Sequence, residues 1–114
     1  MVTADEAYAL PAAARSAGYW CEASAHATGD RIIWLNSRPA SSPRIALRWL
    51  QSRVRDVTDQ LDRPYAQPGH HWLTDEAEHD RARDALAQGE TYALTLYDDT
   101  TRYVLSARPT GRTR

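Results

Sequence analysis

Residues 19–36 read YWCEASAHATGDRIIWLN, and the segment TGD at positions 28–30 divides them into two runs rich in apolar side chains. A three-residue loop that contains glycine is typical of a β-hairpin, because one residue of such a loop adopts a positive φ. The stretch therefore predicts two antiparallel strands, residues 19–27 and 31–36, joined by a tight turn.

The length of this loop sets the register of the hairpin. A three-residue loop places Ala25 opposite Ile33 and Ala23 opposite Leu35. The side chains on the expected core face are then Cys21, Ala23, Ala25, Ile33 and Leu35. The side chains on the opposite face are Trp20, Glu22, Ser24, His26, Ile32 and Trp34. A two-residue loop would shift the register by one residue and exchange half of these assignments.

A second hairpin is predicted near the C-terminus, with strands at residues 91–97 and 101–107 around the turn DDT at residues 98–100. Aspartate is favoured in turns because its side chain bonds to the local backbone. The two aspartates therefore indicate a turn rather than acid–base chemistry. Pairing of Tyr97 with Arg102 produces one coherent apolar face. That face contains Tyr92, Leu94, Leu96, Tyr103, Leu105 and Ala107.

A long helix is predicted between the hairpins. Ser42 is a suitable N-cap, Pro43 suits the first helical position, and Pro64 ends the helix after residue 61 or 62. Helical spacing places one apolar stripe on Ala46, Leu47, Leu50, Val54, Val57 and Leu61. Residues 37–42, which include Pro39, are predicted to form a polar linker.

A further helix is predicted at residues 74–89, after a loop at residues 64–73 that contains two prolines. Thr74 is its expected N-cap, and the acidic residues of its first turn complement the helix dipole. Its buried face is thin, since the expected members are Ala77, Ala82, Ala85 and Leu86.

The two ends of the chain complete the plan. Residues 3–17 predict a helix that Pro11 kinks or divides, and residues 108–114 predict a flexible basic tail. We therefore expect an α+β fold in the order α-β-β-α-α-β-β. Two β-hairpins form one four-stranded antiparallel sheet, and two to three helices pack mainly on one face. Residues 1–107 then form a single domain.

The composition indicates a soluble globular class. The chain has 114 residues, a formal net charge of −1, 42% hydrophobic residues and 25% charged residues. No apolar run approaches the ~18 residues that a membrane span needs, and the start of the chain does not resemble a signal peptide. Its single cysteine excludes an internal disulfide. We expect a cytoplasmic protein without a membrane partner.

Every positively charged side chain of this sequence is an arginine, and alanine is abundant. A bacterial or phage genome of high G+C content accounts for this bias. Residues 31–55 nevertheless contain six arginines and no acidic residue. On a helical wheel, Arg44, Arg48 and Arg55 lie within about 40° of one another. These three residues form the predicted contact surface for a partner or an anion.

The arginine surface has three interpretations. It can be a solvated face, which the acidic helix at residues 74–89 could neutralise. It can bind an acidic protein or a second copy of this chain. It can also contact nucleic-acid phosphates, although the pI of about 6.4 is low for a nucleic-acid-binding domain.

A second candidate site is the aromatic face of the first hairpin. It contains Trp20, Glu22, His26 and Trp34. These side chains either pack beneath a helix or form an exposed aromatic patch or pocket.

Metal and nucleophile chemistry are not expected. His70, His71 and His79 are close in sequence but lack the spacing of a known metal motif, and Cys21 and His26 lie on opposite faces of one strand. We expect neither a metal nor another cofactor, and no catalytic residue.

The sequence thus predicts a small non-catalytic binding or accessory protein that acts through protein–protein contacts. Two hairpins leave exposed strand edges, and edge pairing is a ready route to homodimers. The alternatives are a nucleic-acid-binding regulatory protein that uses the arginines, and a small-molecule-binding or enzymatic domain with a pocket lined by tryptophan and histidine.

Overall fold

The computed structural model describes residues 18–110. The predicted N-terminal helix at residues 3–17 and residues 111–114 of the predicted tail lie outside this range. The elements in chain order are β1 (Tyr19–Ala27), β2 (Arg31–Ala40), α1 (Pro43–Gln60), α2 (Arg63–Leu73), α3 (Glu76–Ala87), β3 (Tyr92–Tyr97) and β4 (Arg102–Pro109). A short 3-10 turn at Thr28–Asp30 joins β1 to β2.

The two hairpins form one antiparallel sheet with strand order β2-β1-β4-β3. The second hairpin has the predicted register, since Tyr97 pairs with Arg102. Strands β1 and β4 pair along the middle of the sheet and join the two hairpins. Together with three helices, this sheet confirms the predicted α+β fold.

The first hairpin confirms the predicted loop but changes the register beyond it. Ala25 pairs with Ile33 as predicted, whereas Ala23 pairs with Asn36 rather than with Leu35. The cause is a β-bulge between Ala23 and Ser24, at which β2 contains one residue more than β1. Leu35 is that additional residue, and the bulge shifts the alternation of side chains in the rest of β2.

Strand β2 is longer than predicted. It continues through residues 37–40, which the sequence indicated as a linker, and Pro39 pairs with Trp20 inside the strand. Proline lacks an N–H donor and is tolerated in a sheet mainly on an edge strand. Because β2 is the outermost strand, Pro39 does not interrupt the sheet.

Helix α1 closely matches its prediction. The Ser42 hydroxyl accepts a hydrogen bond from the Ile45 N–H at 3.2 Å, which is the expected cap. Its buried residues are Ala46, Leu47, Leu50, Val54 and Thr58. Val57 and Leu61, which were predicted in the stripe, are partly buried against the core.

The predicted loop at residues 64–73 is wrong, because these residues form α2. Pro64 lies in the first turn, where a missing N–H is tolerated. Pro68 lies inside the helix, at a position that normally costs stability. Burial of Gly69 and Trp72 against the rest of the fold offsets this cost.

The cap of the following helix is also shifted by one residue. Thr74 ends α2, and the Asp75 carboxylate caps α3 by accepting from the Glu78 N–H at 3.1 Å. Ala82 and Leu86 of the predicted face are buried, whereas Ala77 is exposed and Ala85 is half-buried. Buried His79 takes a place on that face instead.

The core lies between the three helices and one face of the sheet. That face contributes buried Cys21 and Ala23 of β1, Leu96 of β3, and Leu105 and Ala107 of β4. The helices contribute Leu47, Leu50, Val54, Trp72 and Leu86, among others.

The last strand extends past the predicted start of the tail. Arg108 and Pro109 belong to β4 and pair with Trp20 and Tyr19. The Thr110 N–H then donates to the Gly18 carbonyl at 3.0 Å. The ordered sheet therefore includes residues that the sequence assigned to the tail.

Candidate protein-binding surface at strand β2

Strand β2 is the most exposed strand among residues 18–110. It has a neighbour in the sheet, β1, on one side, and nine of its ten residues are exposed. Four consecutive apolar residues expose large fractions of their surface: Ile32 (43%), Ile33 (43%), Trp34 (53%) and Leu35 (45%). An exposed edge strand with apolar side chains is a template for pairing with another strand.

The alternation of side chains along the strand distributes this apolar run over both faces. Ile33 and Leu35 line a groove on the helix side of the sheet. Ile32 and Trp34 pair with His26 and Ser24 and thus point to the other face. A strand that paired with β2 would therefore meet apolar side chains above and below the sheet.

The first groove, which we call the apolar groove, lies between β2 and the C-terminal half of α1. Its volume is about 490 Å³. Its apolar floor and walls are Ala23, Ala25, Ile33, Leu35, Val57 and Tyr103, and Asp56 lies at its edge. The first half of β2 is thus not packed tightly against the helix above it.

The second groove, which we call the basic groove, lies between the second half of β2 and the N-terminal half of α1. Its volume is about 540 Å³. Arg38, Arg48 and Arg53 line it together with Trp49 and Ile45, and no carboxylate belongs to its lining. The groove is therefore suited to an acidic side chain from outside.

Arg53 separates the two grooves and is held from several sides. Its guanidinium bonds to Asn36 Oδ1 at 3.3 Å and pairs with Asp56 Oδ2 at 2.6 Å. Its charge also lies 5.9 Å from the centre of the Trp49 ring. Because Arg53 is anchored in this way, it connects α1 to the middle of β2.

The predicted arginine surface is exposed to solvent. Arg44, Arg48 and Arg55 are all exposed on α1, and none of them has a carboxylate within 4 Å among residues 18–110. Two of the four acidic residues of α3 pair within their own helix instead, Glu78 with Arg81 and Asp80 with Arg83. Helix α3 is therefore not a direct counterweight to these arginines.

The predicted aromatic site is more dispersed than a pocket requires. Trp20, Glu22, His26 and Trp34 share the face of the sheet opposite the core. His26 lines a cavity of about 520 Å³ between the tips of the two hairpins. The other three side chains line neither that cavity nor the two grooves.

Local contacts account for several polar groups on this face. The Ser24 hydroxyl lies 3.0 Å from His26 Nε2, and the Glu22 carboxylate lies 3.7 Å from Arg108. At the hairpin tip, Asp98 accepts bonds from the Thr100 and Thr101 N–H groups, and these bonds lower the pKa of its carboxyl. The predicted turn role of Asp98 is thus confirmed.

Cys21 is unsuited to nucleophilic chemistry. Burial in the core raises the pKa of its thiol to about 12, so that the reactive thiolate is disfavoured at neutral pH. Across residues 18–110, histidine, cysteine and acidic side chains form no cluster of three that could hold a metal ion. No helix within this range is long and apolar enough to cross a membrane.

Sequence reasoning identified the exposed arginines of α1 but missed the two grooves. The signal for the edge was present in the four consecutive apolar residues 32–35, which interrupt the alternation of a half-buried strand. The sequence placed Ile33 and Leu35 on the core face of the sheet, where the structure also has them, but did not predict that α1 leaves them exposed in a groove.

Comparison with known proteins gives no match, since neither a protein-family model, a curated protein sequence nor a solved structure is similar enough to this chain to place it in a family.

Proposed function

We propose that this protein is a small non-catalytic binding protein that acts through protein–protein contacts at β2, in the first place by contact between two copies of itself. The observation that carries the proposal is the exposed apolar run Ile32–Leu35 on the outer edge of the sheet. Pairing at this edge would satisfy backbone groups and remove apolar surface from water in one step.

The position of the run on an edge strand supports this proposal over a general solvent-exposed surface. Single exposed apolar residues are normal, but contiguous apolar patches mark interaction sites in soluble proteins. The grooves beside β2 add room for side chains of an incoming strand on the helix side of the sheet.

The test is the mass of the protein in solution over a range of concentrations. We expect the 12.8 kDa chain to approach twice this mass at high concentration in sedimentation equilibrium. Ile33→Lys places a positive charge within the apolar run of edge strand β2. This variant should therefore remain monomeric. Thr95→Lys, an exposed position on β3, is the matched control and should associate like the wild type. A wild type that stays monomeric, or equal behaviour of the two variants, contradicts the proposal.

The exposed arginines support nucleic-acid binding as a second candidate function. Arg44, Arg48 and Arg55 have no carboxylate within 4 Å among residues 18–110, and such guanidinium groups can contact phosphates. This function predicts binding to DNA or RNA that weakens steeply with salt. A gel-shift series at two salt concentrations tests it, and absence of binding at the lower one excludes it.

A further inference from the structure

We propose that two copies of this chain pair through β2 in an antiparallel register centred between Leu35 and Asn36, with Arg48 of each copy bound to Asp56 of the other. The sheet then continues across both β2 strands, and all helices lie on the same face. This inference rests on the proposed function and adds the register and the charge pairs of the contact.

The bulge makes this register possible. The centre between Leu35 and Asn36 places Ile33 beside Arg38 of the second copy. In a regular strand, residues five apart point to opposite faces, so they could not be opposed in a flat antiparallel pair. In β2, however, Ile33 pairs with Ala25 and Arg38 pairs with Cys21, so both point toward the helices. The additional residue in β2 corrects the alternation at the centre of the strand.

The same register avoids opposing like charges. Strand β2 contains two arginines, Arg31 and Arg38, and no acidic residue. In the proposed arrangement Arg31 lies beside Ala40 of the second copy, and Arg38 lies beside Ile33. Neither arginine lies directly opposite another arginine, an arrangement that would destabilise the strand pair.

The helix layer supplies the charge complement. Helix α1 follows β2 after a short turn and runs back along it, so that Arg48 lines the basic groove and Asp56 lines the edge of the apolar groove. A two-fold axis through the centre of β2 places the basic groove of one copy against the apolar groove of the other. Arg48 then faces Asp56 of the second copy, and symmetry repeats this pair.

These two side chains are available for such a pair. Arg48 is exposed on α1, and the Asp56 side chain is 54% exposed although one oxygen contacts Arg53. A carboxylate can accept several hydrogen bonds, so Asp56 can serve both arginines. The surface thus contains its own complement, which is the requirement for an isologous two-fold contact.

Charge reversal tests the proposed pairs. The variant Arg48→Glu would place a second carboxylate opposite Asp56 in its homodimer, and Asp56→Arg would oppose two arginines. We expect each variant alone to bind itself about tenfold more weakly than the wild type. An equimolar mixture should form heterodimers with an affinity close to that of the wild type. In the heterodimer, each contact between positions 48 and 56 again pairs one carboxylate with one arginine. Native mass spectrometry of the mixture separates homodimers from heterodimers by mass.

The controls change the net charge by the same amounts elsewhere. Arg63→Glu and Asp84→Arg alter exposed residues on α2 and α3 and should dimerise like the wild type, alone or mixed. Heterodimers favoured only by the Arg48 and Asp56 variants support the inference. A wild-type dimer that Ile33→Lys dissociates but the two reversals leave unchanged overturns the inference and retains the proposed function. A monomeric wild type overturns both.

Discussion

The two edges of the sheet differ in what covers them. Strand β3 contacts α2 and α3 and contributes Leu96, which is 2% exposed, to the core. Strand β2 extends for ten residues with nine of them exposed. Helices α2 and α3 thus pack closely against β3, whereas α1 contacts β2 but leaves most of its side chains exposed.

The covering of β3 depends on a hydrogen-bonded chain. Trp72 of α2 donates from Nε1 to the Tyr92 hydroxyl at 2.9 Å, and Tyr92 donates to Glu78 of α3 at 2.7 Å. His79 contacts the Trp72 carbonyl at 2.8 Å and joins the two helices. No comparable chain connects β2 to a helix among residues 18–110, where Arg53 and Asn36 make the closest equivalent.

The largest effect should come from truncating the two edges in the same way. Leu96→Ala creates a cavity in the core and should lower the free energy of unfolding by about 3 kcal/mol. Leu35→Ala removes a side chain that is 45% exposed and should cost only about 0.5 kcal/mol. Urea denaturation at low micromolar protein, a concentration chosen to minimise self-association, measures both. Equal costs would contradict the difference between the edges.

The second effect concerns the helix that covers β3. A β-carbon on Gly69 would lie 2.0 Å from Thr58 Oγ1 of α1, so Gly69→Ala must displace the Thr58 side chain or separate α1 from α2. We expect it to lower the free energy of unfolding by about 2 kcal/mol.

The double variant Thr58→Ala with Gly69→Ala is the control for this effect. It removes the obstructing hydroxyl, which is buried without a hydrogen-bond partner, and should recover part of the loss. A double variant that is less stable than Gly69→Ala alone would contradict the steric explanation.

A smaller effect should appear in alkaline solution. Burial, together with the bond to Glu78, raises the pKa of Tyr92 to about 12. The folded state therefore retains a proton that the unfolded chain loses near pH 10, so that this contribution is present below pH ~10 and is lost as the pH rises toward 12.

Thermal unfolding between pH 9 and 12 measures this contribution. Tyr92→Phe should be less stable by about 1 kcal/mol at neutral pH and should lose less stability than the wild type across the alkaline range. The control Tyr97→Phe changes an exposed ring on the same strand and should behave like the wild type. A parallel alkaline decline in wild type and Tyr92→Phe would contradict the role of Tyr92.

The smallest effect is expected from a substitution at the outer edge of β2. Pro39 has no N–H to offer to an incoming strand, and Pro39→Val restores this donor on the open edge. We expect self-association to tighten by about fivefold, consistent with one added hydrogen bond. Sedimentation equilibrium measures the change. Weaker association of this variant would indicate that the outer backbone of β2 does not pair.

Local signals in the sequence were sufficient for the parts of the fold that depend on neighbouring residues. The turn at residues 98–100 fixed the pairing of Tyr97 with Arg102, and Ser42 with Pro43 marked the start of α1. These features depend on loop length and capping, which a short window contains.

Helix α2 was missed because its prolines outweighed its apolar spacing. Ala66, Gly69 and Trp72 recur at helical intervals and are buried, but Pro64 and Pro68 indicate a loop in isolation. The burial of Gly69 and Trp72 depends on packing of α2 against distant segments such as α1, which a short window of sequence does not contain.

The candidate surface was predictable only in part. The helical-wheel projection of α1 placed Arg44, Arg48 and Arg55 on an exposed flank, and all three are exposed in the structure. The bulge at Leu35 was not predictable, because the sequence around it contains no residue pattern that marks one additional residue in a strand. The sequence placed Leu35 on the helix side of the sheet, as the structure does, but did not reveal the grooves that α1 leaves on either side of Arg53.

Cys21 provides a consequence of a different kind. It is the sole cysteine of the chain, it lies fully buried in the central strand β1, and burial suppresses its thiolate. A thiol reagent can therefore reach it only after the helices have separated from the sheet. The rate at which a thiol reagent labels this sulfur therefore reports how often the core around β1 opens. The measurement needs no engineered cysteine.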